Sequence, residues 1–289
     1  MKQRLFILSI LLFCLAFSTS LAINYEYSFP VMDGISLHHS QSDTTGILHN
    51  INIIKIDFHR NDLEILTATA TPTTGRKRTS DIVHEWNAIA GVNGGYFNFK
   101  PPTPVGLVMH DGKLLNPPIA DIPPRAAIGF TPTHRVVIDR VEMKDGKLVG
   151  LHNTDWSDVT EALGGGPMLV HDGKLENTWA EESMNVAFNR VSHPRTAIGV
   201  TKDTTVIMVV VDGRQPKVSI GMPLDNLAVL MINLGCVEAM NLDGGGSSTM
   251  VLWDTVINYI SDDSDELNRL PGVERLVTNA LIVRQKKND

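Results

Sequence analysis

The sequence predicts a single α+β domain, made of strand-rich mixed sheets with a few helices, behind a secretory leader. Three observations lead there. Short runs of β-branched and apolar residues recur along most of the 289 residues, whereas only two stretches keep helical spacing. Strand-like and helix-like stretches do not alternate regularly, which disfavours a doubly wound α/β sheet. A segment built on His-Asp-Gly-Lys-Leu occurs twice, implying an internal duplication of a β-hairpin unit.

In chain order, Met1 to Ala22 has a basic start (Lys2, Arg4), an apolar run from Leu5 to Phe17 and a small-residue end. That is the pattern of a signal peptide cut after Ala22, leaving residues 23–289 as one domain. The runs Ile51 to Asp57 and Leu63 to Ala70 flank the turn-forming Arg60-Asn-Asp62 and read as a hairpin. Thr79-Ser-Asp81 can cap a helix with apolar positions Ile82, Val83 and Trp86, leading into a strand over 88–92.

The duplicated segments are Gly106 to Asn116 and Gly166 to Asn177, each followed by an Arg-x-Ala-Ile-Gly block, 125–129 and 195–199. Asp111-Gly112, Asp145-Gly146 and Asp172-Gly173 suit tight hairpin turns needing positive φ. His110 and His171 stand beside two of these turns and read as hairpin residues, not metal ligands. A second helix is expected from Pro223, because Leu224, Leu227, Ala228, Met231 and Leu234 share one face and Gly235 suits the stop.

With 43% hydrophobic residues the chain is of globular and not disordered composition, and its formal net charge of −7 with no basic run disfavours nucleic acid or anionic lipid as a general partner. Past the leader no apolar stretch is long enough to span a bilayer, so no stable membrane anchor is expected. Cys14 lies in the leader. Cys236 alone remains in the mature chain, so no internal disulfide can form, and a buried inert thiol is the favoured reading.

Three glycine-rich junctions stand out: 92–97 (Val-Asn-Gly-Gly-Tyr-Phe), 163–167 (Leu-Gly-Gly-Gly-Pro) and 241–249 (Asn-Leu-Asp-Gly-Gly-Gly-Ser-Ser-Thr). Consecutive glycines let backbone N–H groups converge on an oxyanion, and the last junction reads as a phosphate cradle rimmed by Asp243. A flexible loop between strands is the plainer alternative. No Gly-Lys-Ser/Thr follows, which excludes a P-loop, and Thr249 stands where a nucleophile elbow needs its last Gly. No His-Glu-x-x-His or paired-Cys motif argues for zinc.

An ordered set of motifs goes further. Asn93-Gly-Gly-Tyr-Phe97, Pro104-Val-Gly106, Gly164-Gly-Gly-Pro167, Pro194-Arg-Thr-Ala-Ile-Gly199, Val211-Asp-Gly-Arg214, Asn241 to Thr249 and Arg275-x-x-x-Asn279-Ala280 resemble the pattern of phosphodiester glycosidase domains over roughly Asp81 to Val283. The chain departs from the pattern after Asn258, where Asn258-Tyr-Ile-Ser-Asp262 lacks a Pro and an acidic stretch, Asp263 to Leu270, intervenes. Asp262, Asp263, Asp265 and Glu266 lack calcium-loop spacing and read as a solvated acidic loop.

The resemblance implies an exported hydrolase that splits a sugar-1-phosphodiester into sugar and phosphomonoester, acting on a phosphorylated glycan; with no metal-ligand constellation in the sequence, no cofactor or metal is expected. A phosphate leaving group needs charge neutralisation more than protonation, so arginines and backbone N–H groups should dominate. Arg195 and Arg214 are expected on phosphate oxygens, with a surface ion pair as the plainer alternative for either. Asp243 is the favoured reacting carboxylate, as nucleophile or water activator; Asp212 is either a second reacting group or a turn former. Asn93, Gly94, Gly244, Gly245, Ser247 and Thr249 complete the expected substrate contacts, with turn capping as the alternative for Asn93, and His193 is a weaker candidate. A glycan-binding or envelope-assembly module on the same scaffold is the rival to an enzyme.

Overall fold

The computed structural model describes residues 26–44, 47–70, 75–261 and 272–286. The signal peptide expected at 1–22 and the acidic stretch 262–270 lie outside the described residues. The chain opens on β1 (Tyr27–Met32), β2 (Ile35–Thr44), β3 (Ile47–Asp57), β4 (Leu63–Thr69) and α1 (Thr79–Glu85). Next come β5 (Ala90–Asn93), β6 (Phe97–Phe99) and β7 (Pro102–Pro104). A first β unit comprises β8 (Val108–His110), β9 (Lys113–Asn116), β10 (Arg125–Phe130), β11 (Val136–Lys144), β12 (Lys147–Gly150) and β13 (Glu161–Gly164). A second comprises β14 (Met168–His171), β15 (Lys174–Leu175), α2 (Val186–Arg190), β16 (Arg195–Thr201), β17 (Thr205–Val211), α3 (Leu224–Asn233) and β18 (Cys236–Asn241). Then follow β19 (Met250–Leu252), β20 (Thr255–Val256) and β21 (Asn279–Gln285). The strand-rich α+β class is as the sequence predicts.

The duplication is real at the level of strand pairing. The order β9-β8-β13-β10-β11 in one sheet repeats as β15-β14-β18-β16-β17 in another. Registers match as well: Ala127 opposes Gly164 and Arg125 opposes Val141 in the first, while Ala197 opposes Asn241 and Arg195 opposes Val211 in the second. Both residues of each Asp-Gly turn take positive φ, for example 51° and 68° at Asp111-Gly112 and 49° and 70° at Asp172-Gly173. The turns at Asp111-Gly112 and Asp172-Gly173 are each held by a glutamate from the neighbouring strand. Glu161 accepts Asp111 N at 2.8 Å and meets His110 Nδ1 at 3.1 Å; Glu238 accepts Asp172 N at 3.1 Å and meets His171 Nδ1 at 3.1 Å.

The uninterrupted apolar run of β17 is explained by burial on both faces. Val206, Met208 and Val210 point into a central core shared with β4, β10 and β21, whereas Ile207, Val209 and Val211 pack under α3. Leu224, Leu227, Ala228 and Met231 of α3 meet them, and Gly235 ends the helix at φ 92°. Cys236 is buried, and burial pushes its thiol up to about 12, consistent with an inert packing role.

Two local expectations need correction. The runs at 51–57 and 63–70 are strands but not a hairpin: β3 pairs with β2 and β17, while β4 pairs with β21 in a separate five-stranded sheet. Ile54, Ile56, Leu63 and Ile65 meet across the core between sheets, because β3 has an apolar face on each side and needs layers on both. In α1, Arg78 and not a hydroxyl residue is the N-cap, and Thr79 is the first helical residue. The orphan donor at Ser80 N is met by Glu274 at 3.0 Å.

Candidate active site

The three glycine junctions converge at the ends of β5, β13 and β18. Asp243 N donates to Gly94 O at 3.1 Å, and Gly166 N donates to Asn241 O at 2.8 Å. The backbones touch so closely that a Cβ on Gly95 would strike Gly164 O, and one on Gly244 would lie 2.7 Å from Pro194 O. Backbone packing therefore requires much of the glycine in these motifs. Asn279 pins the first junction, its Oδ1 accepting Gly95 N at 2.9 Å and its carbonyl accepting Gly94 N at 3.0 Å.

Asp243 sits where these junctions meet, half-buried. Its Oδ1 accepts Gly244 N at 2.8 Å and its Oδ2 accepts Ser247 Oγ at 2.6 Å. Gly245 N is bound to Pro194 O at 2.9 Å. The anion that the Gly244 N–H cradles is thus the protein's own carboxylate. Burial raises the Asp243 pKa above its ordinary 3.8, opposed by the Ser247 hydrogen bond, the Arg275 charge, the Gly244 N–H and the Arg214 charge.

Two arginines flank this carboxylate. Arg214 follows β17 on the exposed surface in a left-handed backbone, φ 59°, a conformation that costs a non-glycine residue energy and clusters at functional sites. Its guanidinium lies over the loop, so that a Cβ on Gly245 would be 3.0 Å from Nη2. Arg275 Nη1 donates to Ser247 Oγ at 3.3 Å. His193 is close enough for Arg195 and Arg214 to assist burial in lowering its pKa.

Other expected site residues stand behind the surface. Asn93 is fully buried, with Nδ2 on Asp243 O at 2.7 Å and Oδ1 accepting Thr196 Oγ1 at 2.7 Å and Thr249 N at 3.1 Å. Its amide is committed to the scaffold, as is the Thr249 N–H. Asp212, 1% exposed, accepts Asn50 Nδ2 at 2.5 Å, Asn258 Nδ2 at 2.9 Å and Tyr259 N at 3.1 Å. Asn258 in turn donates to Ser248 O at 3.1 Å, so Asp212 braces the far side of the loop. Arg195 is 1% exposed, with Nε on Met222 O at 2.8 Å and Nη2 on Phe188 O at 2.7 Å and Val191 O at 3.0 Å. Burial lowers its pKa to about 10. Arg195, expected on phosphate oxygens, thus has three of its hydrogen bonds ending on backbone carbonyls.

Sequence reasoning did not select Tyr96, Arg275 or Glu182 as site residues, although the first two lie inside quoted motifs. Tyr96 OH donates to Gly166 O at 2.7 Å and accepts Asn241 Nδ2 at 3.0 Å; burial and the Asp243 charge raise its pKa. Its ring packs edge-on against Phe188, 6.2 Å between centroids, and Phe188 lies 4.9 Å from the Arg195 guanidinium carbon. Glu182 is buried and accepts Met168 N at 2.8 Å and Ala126 N at 3.1 Å, tying the two β units together. It sits in an irregular segment with no motif to announce it.

Among the described residues, the groups whose ligand atoms cluster closely enough for a metal ion are His152, His171 and Glu176, and His171, Asp172 and Glu238. Both lie at the end of β14 away from Gly166. No helix among the described residues is long and apolar enough to cross a membrane.

Comparison with known proteins agrees with this layout. The chain is 35% identical over 128 residues to the SPbeta prophage-derived uncharacterized protein YomE of Bacillus subtilis (strain 168), covering 43% of this chain and 17% of that protein. It is 34% identical over 135 residues to N-acetylglucosamine-1-phosphodiester alpha-N-acetylglucosaminidase of Bos taurus, covering 45% of this chain and 24% of that protein. The matched stretches thus span a quarter or less of these relatives' own length. The zebrafish catalytic domain of the same enzyme name, solved in a form auto-inhibited by its pro-peptide, superposes with a TM-score of 0.66 at 21% identity over 87% of this chain and 83% of that one, a likeness of fold. The model of the phosphodiester glycosidase family matches residues 86–284, from the end of α1 to the last strand and through every junction described above, and the chain belongs to that family.

Proposed function

We propose that the protein is an exported hydrolase cleaving a glycosyl phosphodiester at the sugar C1–oxygen bond, releasing free sugar and a phosphomonoester. The observation that carries this reading is the Asp243 carboxylate, oriented by Gly244 N and Ser247 Oγ in a half-open position with Arg214 over the same loop and Arg275 on the same serine. Family membership supports it independently.

In this mechanism Arg214 and Arg275 hold the phosphate and take up the charge that grows on it as the C1–oxygen bond breaks. Cationic donors aimed at developing charge in a partly dry site are the strongest contribution such a site can make. Asp243 either attacks C1 or draws the proton from a water that does; in both cases water supplies the oxygen that ends on C1. The leaving phosphate needs no protonation by the enzyme, in keeping with the absence of a second carboxylate from the expected set on this rim: Asp212 is held by three donors inside. Asn93, Arg195 and Asp212 act as positioning residues. The substrate class is a phosphorylated glycan outside the cytoplasm.

Incubating the purified protein with a panel of sugar-1-phosphodiesters tests this. With the reaction run in 18O-water, free sugar plus a phosphomonoester that carries no label supports the reading, whereas label in the phosphomonoester means attack at phosphorus and rejects it. Sugar-1-phosphate plus alcohol means cleavage at phosphorus, and no product from any member of the panel favours a binding module; either outcome rejects it.

A further inference from the structure

We propose that His152, His171 and Glu176 form a site for one divalent transition-metal ion of the zinc class, at the seam between the two β units and apart from Asp243. His152 follows β12 in the first unit, whereas His171 ends β14 and Glu176 follows β15 in the second. One ligand atom from each lies within 4.8 Å of the other two, and His152 Nε2 is 3.3 Å from Glu176 Oε1.

The surroundings have the form that metal-binding histidines require. His152 Nδ1 is 2.8 Å from Asp139, a fully buried carboxylate that also accepts His152 N at 2.9 Å, Thr154 Oγ1 at 2.7 Å and Arg140 N at 2.7 Å. His171 Nδ1 is 3.1 Å from Glu238. A carboxylate on Nδ1 fixes that nitrogen as the N–H and leaves the lone pair on Nε2, which is how outer carboxylates orient metal-binding imidazoles. Both Nε2 atoms are therefore set to coordinate, with Glu176 as the anionic ligand and Asp172 3.8 Å from His171 Nε2.

Internal symmetry separates this site from a hairpin clamp. The first unit has the same His-Glu clamp, His110 on Glu161, but there the ring meets Trp86 edge-on at 5.1 Å. In the second unit the ring instead meets His152, with centroids 4.0 Å apart and planes 23° from parallel. The clamp works without a second histidine and without Glu176, so their presence needs another reason. Zn–N bonds of about 2.0–2.1 Å at a tetrahedral angle put the two centroids about 5 Å apart. The stacked rings must therefore part by about 1 Å and turn, through the soft χ2 torsion, to close on an ion.

The full mature chain, stripped with chelator and dialysed, is titrated with Zn2+ by calorimetry and thermal unfolding, and with Co2+ by visible absorption. One Zn2+ per chain, a Zn2+-dependent rise in Tm and a tetrahedral Co2+ spectrum are expected. His152→Ala, His171→Ala and Glu176→Gln should each weaken binding at least tenfold, and His110→Ala should leave it unchanged. Glu176→Gln removes a half-buried surface carboxylate and keeps the test valid if either histidine variant fails to fold. No stoichiometric Zn2+ binding by the wild type, or undiminished affinity in the variants, overturns the site.

Discussion

Asn93 and Asp243, 150 positions apart, are joined by a 2.7 Å hydrogen bond from the Asn93 amide to the Asp243 carbonyl oxygen. The same amide accepts from Thr196 and Thr249, so one buried side chain locks the ends of β5, β16 and the Asp243 loop into one rigid corner. Asn93→Ala leaves three buried polar groups unpaired. It should cost about 3 kcal/mol of stability, read from the urea midpoint at unchanged slope, and, on the proposed mechanism, lower kcat more than KM because it displaces the Asp243 carboxylate.

Arginines 195 and 214 should separate cleanly. Arg195→Ala strips partners from the Met222, Phe188 and Val191 carbonyls and is expected to cost about 3 kcal/mol, seen as a lowered Tm. Arg214→Ala should leave Tm nearly unchanged and reduce kcat/KM about 100-fold, because a phosphate partner is lost. The reverse pattern, a folded and inactive Arg195→Ala beside a fully active Arg214→Ala, would restore Arg195 as the phosphate ligand.

The acidic limb of the pH profile reports on Asp243. Burial holds its pKa above the ordinary 3.8, so kcat/KM should fall as pH drops through that raised value. The charges of Arg275 and Arg214 oppose the rise, and removing either favours the protonated form. Arg214→Ala and Arg275→Ala should each move the limb to higher pH, and a limb that stays in place counts against Asp243 as the titrating group.

Glu182 predicts a pH dependence of stability. Burial raises its folded pKa above the ordinary 4.5. The folded state binds this proton more tightly than the unfolded one, so the associated stabilisation is complete below 4.5 and is lost as pH rises through the raised folded value. Urea midpoints measured across that window should fall with rising pH in the wild type. In Glu182→Gln the slope should be flatter, whatever the overall level.

Much of this was legible in the sequence because it is local chemistry. Asp-Gly pairs force the three tight turns, helical spacing from Leu224 and Gly235 delimit α3, and the repeated Arg-x-Ala-Ile-Gly blocks become β10 and β16 in matching register. Long-range facts were not. Nothing near Asp57 or Leu63 says that β3 and β4 face each other across a core and do not pair. At the candidate site, strand ends and glycines pointed to the corner where the three junctions meet. Whether a polar side chain there faces solvent or braces a loop depends on partners remote in sequence, such as Asn50 and Asn258 for Asp212 or Met222 for Arg195. Glu182 drew no notice for the same reason: its partners Ala126 and Met168 belong to different β units.

The central claim is that Asp243 is the reacting carboxylate, and turnover by Asp243→Asn on a cleavable sugar-1-phosphodiester tests it most directly, with Tm and ligand affinity measured on the same sample. The substitution keeps the side-chain shape and an acceptor for Gly244 N or Ser247 Oγ. Loss of at least 1,000-fold in kcat, about 4 kcal/mol of barrier, with Tm and affinity close to wild type is the predicted result. Near-wild-type turnover by Asp243→Asn would contradict the account and move the chemistry to another group.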